Sequence, residues 1–187
     1  MDEGLPVLET ERLVLRPYSA ADARRVQQMC NDWDIASTTL ALPYPYPDGA
    51  AEKWISTHAE NFRQGTETTL AVTLKPGGTV IGSVALTVNR SHKRGELGYM
   101  IAKDHWNQGC CTEAARAMVR YGFTTLALNR IQAMHFPRNP ASGRVMQKLG
   151  MSREGLLRQY VSNRDGIEDI VMYSILRSEF EVAGRSA

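Results

Sequence analysis

Cysteine is scarce in this sequence: Cys30, Cys110 and Cys111 are the three it has. Two adjacent thiols and one distant one cannot build a disulfide framework, so a reducing cytoplasm is the expected compartment. Histidine is nearly as sparse. His58, His92, His105 and His135 stand in no metal-ligand spacing with one another or with the cysteines, and no metal is expected. Long hydrophobic runs are missing: no apolar stretch approaches about eighteen residues and no charged segment opens into an apolar one, so neither a membrane span nor a secretory signal is expected. Charge of one sign is not in excess either. The formal net charge is +2, with Lys and Arg scattered among the acids, and direct nucleic-acid binding is disfavoured. The two common nucleotide signatures, Gly-Lys-Ser/Thr of a Walker loop and GxGxxG of a dinucleotide fold, are absent as well.

What is present is an ordinary globular composition, 187 residues with 43% hydrophobic content, which suits one domain over 1–187 with a sizeable core. Leu13 and Leu15 mark a first strand. Ser19 with Asp22 three residues on predicts a capping box opening a helix of Ala23, Val26, Gln27 and Cys30. A Pro-aromatic loop over Pro43–Pro47 follows. Asp48 is then expected to cap a second helix whose Ala51, Trp54, Ile55, His58, Ala59 and Phe62 share one face, with Gly65 ending it. Thr69–Leu74 and Val80–Val88, joined through Pro76-Gly77-Gly78, read as a hairpin that the strand Gly95–Ile101 extends. A helix, a strand over Arg130–Phe136, a short helix over Ala141–Leu149 and a final hairpin turning at Asp165-Gly166 complete a mixed α/β pattern whose sheet is mostly antiparallel.

The stretch Gly95–Phe123 is the most informative. Glu96–Ile101 alternates too little for a half-exposed strand and predicts a largely buried one, while Ala115, Met118, Val119 and Gly122 fall at helical spacing just downstream. Between them Gly109 frees the backbone to turn, and the unpaired N–H groups of the first helical turn favour an anion, so the segment reads as a phosphate or pyrophosphate cradle.

Here the residues carry a resemblance. Trp106–Ala114 is similar to the W-G-K-G-Y-A-T-E-A form of the acetyl-CoA pyrophosphate loop in the GNAT N-acetyltransferase superfamily, and more narrowly in its ribosomal-protein N-terminal (alanine) acetyltransferase branch. Leu8–Arg16 resembles that branch's opening strand and Gly95–Tyr99 its central strand. Asn139-Pro140-Ala141-Ser142, with Lys148–Met151 and Glu154-Gly155, resembles its N-x-x-S and K-L-G-F-x-x-E-G segments. The loop departs from the pattern where Asn107 replaces a glycine, Cys110 an aromatic residue and Cys111 an alanine. The resemblance implies a GNAT-type acyl-CoA N-acyltransferase fold over 1–187, a central, mostly antiparallel twisted sheet flanked by helices, and acetyl-CoA as cosubstrate. It also implies that the pantetheine arm pairs with the strand end at Tyr99, Met100 and Ile101. The pyrophosphate then rests on Gln108, Gly109, Cys110, Cys111 and Thr112, with Asn139 and Ser142 as further coenzyme contacts.

Moving an acetyl group from a thioester to an amine needs a neutral amine, a donor to the carbonyl oxygen and help for the departing thiolate. A preorganised backbone donor is worth ~3 kcal/mol. Glu96, a carboxylate in an otherwise apolar strand, is the candidate base, since burial in a low dielectric strengthens a carboxylate's hold on a proton; a strand glutamate also serves simply to accept backbone or arginine hydrogen bonds. Ser142 is the candidate donor to the thiolate by resemblance, against the plainer reading of a helix N-cap. Tyr99, Tyr121, Tyr160 and Tyr173 compete for that role. Asn139 reads as a coenzyme contact or as a turn residue before Pro140. Cys110 or Cys111 as a nucleophile at a helix N-terminus is the rival mechanism, set against small buried cysteines that merely pack.

For the acceptor, Asn31–Trp54 combines Asp32 and Asp34 with Trp33, Tyr44, Tyr46 and Trp54, a set that suits an ammonium-bearing acceptor or simply a rigid packing loop; most of these residues read as packing, and Trp33 and Trp54 are the ones expected to border a pocket. A protein N-terminus is the preferred acceptor. Its α-amine pKa of about 7.7–8.0, against about 10.4 for lysine, leaves far more of it neutral at pH 7. The alternatives are a small amine (polyamine, aminoglycoside or amino-acid-like metabolite) and a non-catalytic acetyl-CoA-binding module. Whether the chain acts as a monomer or a homodimer is left open.

Overall fold

The computed structural model describes residues 4–40, 42–164 and 166–185. An eight-stranded sheet runs in the order β1-β2-β3-β4-β5-β6-β8-β7. Its strands are β1 (Leu8–Glu9), β2 (Leu13–Arg16), β3 (Glu67–Leu74), β4 (Val80–Asn89), β5 (Arg94–Ile101), β6 (Arg130–His135), β7 (Ser152–Asn163) and β8 (Gly166–Leu176). The helices are α1 (Ala23–Cys30), α2 (Trp33–Ala36), α3 (Ala50–Gln64), α4 (Cys110–Thr124), α5 (Pro140–Lys148) and α6 (Arg177–Arg185). Every strand pairing is antiparallel except β5 with β6.

The helices take opposite faces of the sheet. On one face Ala114, Ala115, Met118 and Val119 of α4 and Met146 of α5 pack on Leu13, Leu15, Leu70, Val72, Leu86, Leu97 and Ile131. Each such large side chain fully removed from water contributes ~1.5–3 kcal/mol. On the other face Ala23, Val26, Met29 and Cys30 of α1 join Ala51 of α3 over Ala71, Val80 and Ala102. The predicted capping box at Ser19 forms: the Ser19 N–H donates to the Asp22 carboxylate at 2.7 Å, and Arg16 holds that carboxylate with two further bonds.

Three local expectations need correction. Gly49, left-handed at φ +75°, rather than Asp48, stands at the start of α3, and Ala59 is exposed instead of lying on its packed face. β5 is not largely buried. Gly95, Leu97 and Ile101 are covered, whereas Glu96, Tyr99 and Met100 are half-buried and Gly98 is exposed, because the helices on the second face reach Ala71, Val80 and Ala102 but leave the Glu96–Gly98 end open. The elements β1, α2 and α6 had no separate sequence signal. Of the final turn, Gly166 is left-handed at φ +113°, while Asp165 lies outside the described residues.

Candidate active site

The parallel contact between β5 and β6 is short. It pairs Arg94 with Arg130, Gly95 with Ile131 and Glu96 with Gln132, and then stops, although β5 continues to Ile101. β6 keeps its register with β8 to His135, so the two central strands part into a gap just beyond Glu96. The Ala102 N–H donates to the Ile81 carbonyl at 2.8 Å, which makes Ile101 and Gly82 a non-hydrogen-bonded pair. Alternation along an antiparallel ladder then turns the backbone groups of Tyr99 and Ile101 into the gap and those of Met100 towards Ser83 on β4. Trp106 closes one end by donating its indole N–H to the Ile101 carbonyl at 2.6 Å.

At the gap's α4–α5 side the Tyr99 Oη lies 3.0 Å from both the carbonyl and the hydroxyl oxygen of Ser142. A carbonyl only accepts, so Tyr99 donates to it and the Ser142 hydroxyl donates to Tyr99. Burial raises the Tyr99 phenol above its ordinary range, and the Ser142 hydrogen bond only partly offsets this. Ser142 is not the helix cap; Asn139 is, its Oδ1 accepting from the Ser142 N–H at 3.3 Å with Pro140 at the first helical position. Of the four candidate tyrosines, Tyr99 is the one bonded to Ser142. Tyr121 is buried in α4, Tyr160 is exposed on β7, and the Tyr173 hydroxyl accepts from Gln147.

Glu96 points to the opposite face. Its carboxylate accepts from the Gln132 amide at 3.0 Å, and Arg130 donates to the oxygen of the same amide at 3.4 Å, which fixes the Gln132 NH2 towards Glu96. Arg130 is itself held by a bidentate pair with Glu154, both bonds 2.5 Å. That pairing, with a further bond from Ser174, lowers the Glu154 carboxyl to about 2. Gln132 and Arg130 are site residues that sequence reasoning missed. Their only signal was position: the strand after the cradle helix returns beside Glu96. A hollow of about 490 Å³ opens at Glu96, Thr87, Asn89, Arg90 and Arg94.

The cradle has the predicted shape. Asn107 and Gly109 are both left-handed, at φ +60° and +80°, so asparagine occupies a conformation it tolerates better than most side chains. Gly109 precedes α4 without any side-chain cap, and the N–H groups of Gly109, Cys110, Cys111 and Thr112 have no partner among the described residues. Arg12 braces the loop, donating to the Gln108 carbonyl at 2.9 Å and pairing with Glu113 at 2.7 Å. Burial works to raise the Glu113 carboxyl, but hydrogen bonds from Thr10 and Arg12 outweigh it and hold it below the usual range. Beside the loop a hollow of about 460 Å³ is lined by Gly109, Thr112, Arg116 and Lys148 together with Glu11 and the Arg12–Glu113 pair, and the Arg116 and Lys148 cations are the groups that fit the phosphates of a coenzyme. Burial, together with neighbouring Cys110, pushes the Cys111 thiol up to about 12, the reverse of what a nucleophile needs, and Cys110 is packed in the core.

The two tryptophans lie in different clusters. Trp54 packs edge-on against Tyr18 and His58 over the second core, while exposed Trp33 meets Tyr44 at 5.0 Å under the Arg164 guanidinium. The two acids flanking Trp33 are engaged: Asp32 caps α2 and Asp34 pairs with Lys103.

The sequence profile of the acetyltransferase (GNAT) domain matches residues 12–152. The chain belongs to the GNAT acetyltransferase family. It is 31% identical to p20 of Bacillus licheniformis, an uncharacterised N-acetyltransferase, over 94% of this chain and 99% of that one. It is 26% identical to YdaF of Bacillus subtilis, whose name proposes a ribosomal N-acetyltransferase, over 91% and 94%. Spermidine N(1)-acetyltransferase of Escherichia coli is 27% identical over 80% and 78%. Among solved structures, RimL, the ribosomal L7/L12 α-N-protein acetyltransferase in complex with coenzyme A, superposes with a TM-score of 0.83 at 15% identity, covering 91% of this chain and 98% of that one. This GNAT protein is therefore an acetyl-CoA-dependent N-acetyltransferase. No group of three or more His, Cys, Asp or Glu able to hold a metal occurs among the described residues, and no helix among them is long and apolar enough to cross a membrane.

Proposed function

We propose that this GNAT enzyme, acting as one domain over 1–187 in a reducing cytoplasm, acetylates a protein or peptide N-terminal α-amine. The observation that carries the reading is the gap between β5 and β6, with Glu96 on one face of the sheet and the Tyr99–Ser142 pair on the other. An amine approaching on the Glu96 side meets a carboxylate held by Gln132, which takes its proton directly or through a water. Backbone N–H groups of Tyr99 and Ile101 in the gap polarise the thioester carbonyl, and the Ser142 hydroxyl, turning its one proton from Tyr99, donates to the sulfur leaving on the far side while Tyr99 keeps its bond to the Ser142 carbonyl. Gln108 to Thr112 hold the pyrophosphate, Asn139 sets the start of α5, and Met100 contributes through its side chain rather than its backbone. Trp33, exposed near the loop, and Trp54 border the acceptor's first residues.

The α-amine is favoured because its neutral fraction at pH 7, about a tenth, is some hundreds of times that of a lysine, and YdaF and RimL carry ribosomal names. A small polyamine is the second reading. It is supported by the spermidine relative and by Glu67 and Glu96, two half-buried carboxylates bonded among the described residues by neutral donors alone. Thiol release measured against N-terminal peptides, matched internal-lysine peptides and small amines decides between them. The α-amine reading expects the free N-terminal peptides to be the best acceptors. Both peptide classes inert, with one small amine turned over at high kcat/KM, would sink it.

A further inference from the structure

β4 and β5 carry glycines whose reasons differ. A side chain at Gly82 would strike the Met100 carbonyl at 2.3 Å, and one at Gly95 would strike Leu128 and Leu86 at 2.8 and 2.9 Å. Gly98 has no such reason: a Cβ there would meet nothing within 4 Å, and its φ lies outside the left-handed region. Glycine inside a strand costs ~0.5–1 kcal/mol relative to alanine. Neither the backbone nor the packing of the protein calls for it here. Close approach of a ligand is the remaining reason for a bare position in a strand.

Gly98 is exposed on the Glu96 face, two residues from Glu96 and directly opposite Ala85, so the floor beside the gap is made of two small residues. A separate observation says what lies over it. Glu96 and Glu67 sit in one cross-sheet row, joined through Thr87. Glu96 is bonded only by the Gln132 amide, and Glu67 only by the hydroxyls of Thr69 at 2.5 Å and Thr87 at 3.3 Å, with no ion pair to either among the described residues. Arg90 and Arg94 line the hollow at Glu96 but form no ion pair with either carboxylate among the described residues, so an ammonium-bearing acceptor supplies the paired cation that these two half-buried anions lack.

We infer that the acceptor crosses the sheet over Gly98 on its way to the gap, and that the missing side chain at this position sets how bulky the group next to the acceptor amine can be. The inference rests on the amine entering from the Glu96 face, as proposed above, but not on which amine it is. Gly98→Ala, Gly98→Val and Gly98→Leu test it with the acceptor that the wild-type enzyme uses best, alongside an unbranched analogue of that acceptor. Ala and Val leave the melting temperature unchanged or raise it, and acetyl-CoA affinity stays within about two-fold. kcat/KM for the bulkier acceptor falls stepwise, by about ten-fold or more at Val, through KM, and less for the unbranched analogue. Should the Leu variant fail to fold, Ala and Val carry the series. Unchanged acceptor KM in folded Val, an equal loss for both acceptors, or a parallel loss of acetyl-CoA affinity overturns the inference. Turnover of a small amine in place of peptides removes the α-amine reading while the Gly98 series, run on that amine, still stands or falls by the same measure; no turnover with any amine would overturn both.

Discussion

The contact between Tyr99 and Ser142 makes a prediction that separates the two candidates for assisting the thiolate. Tyr99→Phe removes both hydrogen bonds of the phenol, to the carbonyl and to the hydroxyl of Ser142, each 3.0 Å long. A neutral hydrogen bond contributes ~0.5–1.5 kcal/mol net, so the loss is ~1–3 kcal/mol of stability. Ser142→Ala removes one of the two and leaves Tyr99 its bond to the backbone carbonyl, a loss of ~1 kcal/mol. The double variant is therefore no less stable than Tyr99→Phe alone by more than a few tenths, and the cycle shows a coupling of ~1 kcal/mol in urea unfolding. In turnover the order reverses. Burial makes the Tyr99 phenol harder to ionise than an ordinary tyrosine, which suits it to orient Ser142 and not to give up a proton. Ser142→Ala should lower kcat by about ten-fold, ~1.4 kcal/mol of barrier, with acetyl-CoA affinity near normal. Tyr99→Phe should lower it by no more than that, and the double variant should match Ser142→Ala. If Tyr99→Phe instead cuts kcat much further in the Ser142→Ala background, the phenol itself is the donor and the assignment of roles fails. Strictly additive stabilities would show that the two hydroxyls are not bonded at all.

Glu96→Gln is expected to slow turnover at pH 7, with the deficit shrinking towards pH 9, where an α-amine is already neutral; a pH–rate profile superimposable on the wild type leaves Glu96 a structural residue. Gly109→Trp places a bulky side chain at φ +80° where even a Cβ comes within 3.3 Å of the Arg12 guanidinium, so acetyl-CoA affinity by calorimetry should fall at least ten-fold in a chain that remains folded, the left-handed backbone itself costing ~1–2 kcal/mol. The Glu154 carboxyl, lowered in the folded state from 4.5 to about 2, lends stability that is fully present above pH 4.5 and is lost as pH falls through about 2. Because the side chain is 40% exposed, solvent discounts that contribution to roughly 1 kcal/mol, and the stability gap between wild type and Glu154→Gln should close across this window. His58, buried with neither ring nitrogen hydrogen-bonded among the described residues, predicts that His58→Leu raises the melting temperature; a fall of several degrees would reveal a partner for the ring.

The cradle was legible in the sequence because its cause is local. A strand, a glycine and a helix follow one another within a few residues, and left-handed φ at Gly109 follows from that spacing. The hairpin at Pro76-Gly77-Gly78, the Gly65 helix stop and the Ser19–Asp22 box were read for the same reason. β5 was misread because burial depends on what other elements cover. Its apolar run gives no sign that α1 and α3 end short of Glu96 and Gly98, or that β6 turns away after three pairs. For Ser142 the sequence left two readings, thiolate donor or helix cap, and only the fold separates them: Asn139, three residues earlier, is the cap that accepts its N–H, and the hydroxyl is left to Tyr99 from a strand 43 residues away. The line of Glu154, Arg130, Gln132 and Glu96 is farther still from any sequence signal, since its members lie on three strands and meet only through the register. Each miss concerns a group whose role is set across the sheet, and the same holds for the chemistry. Residues proposed to hold the coenzyme lie mostly along one stretch of chain, whereas Glu96, Glu67 and Gly98, proposed to meet the acceptor's proton, charge and bulk, lie on a face that no single segment builds. A substitution at Gln132, Arg130 or Gly98 is accordingly the kind that should move acceptor preference while leaving coenzyme binding in place.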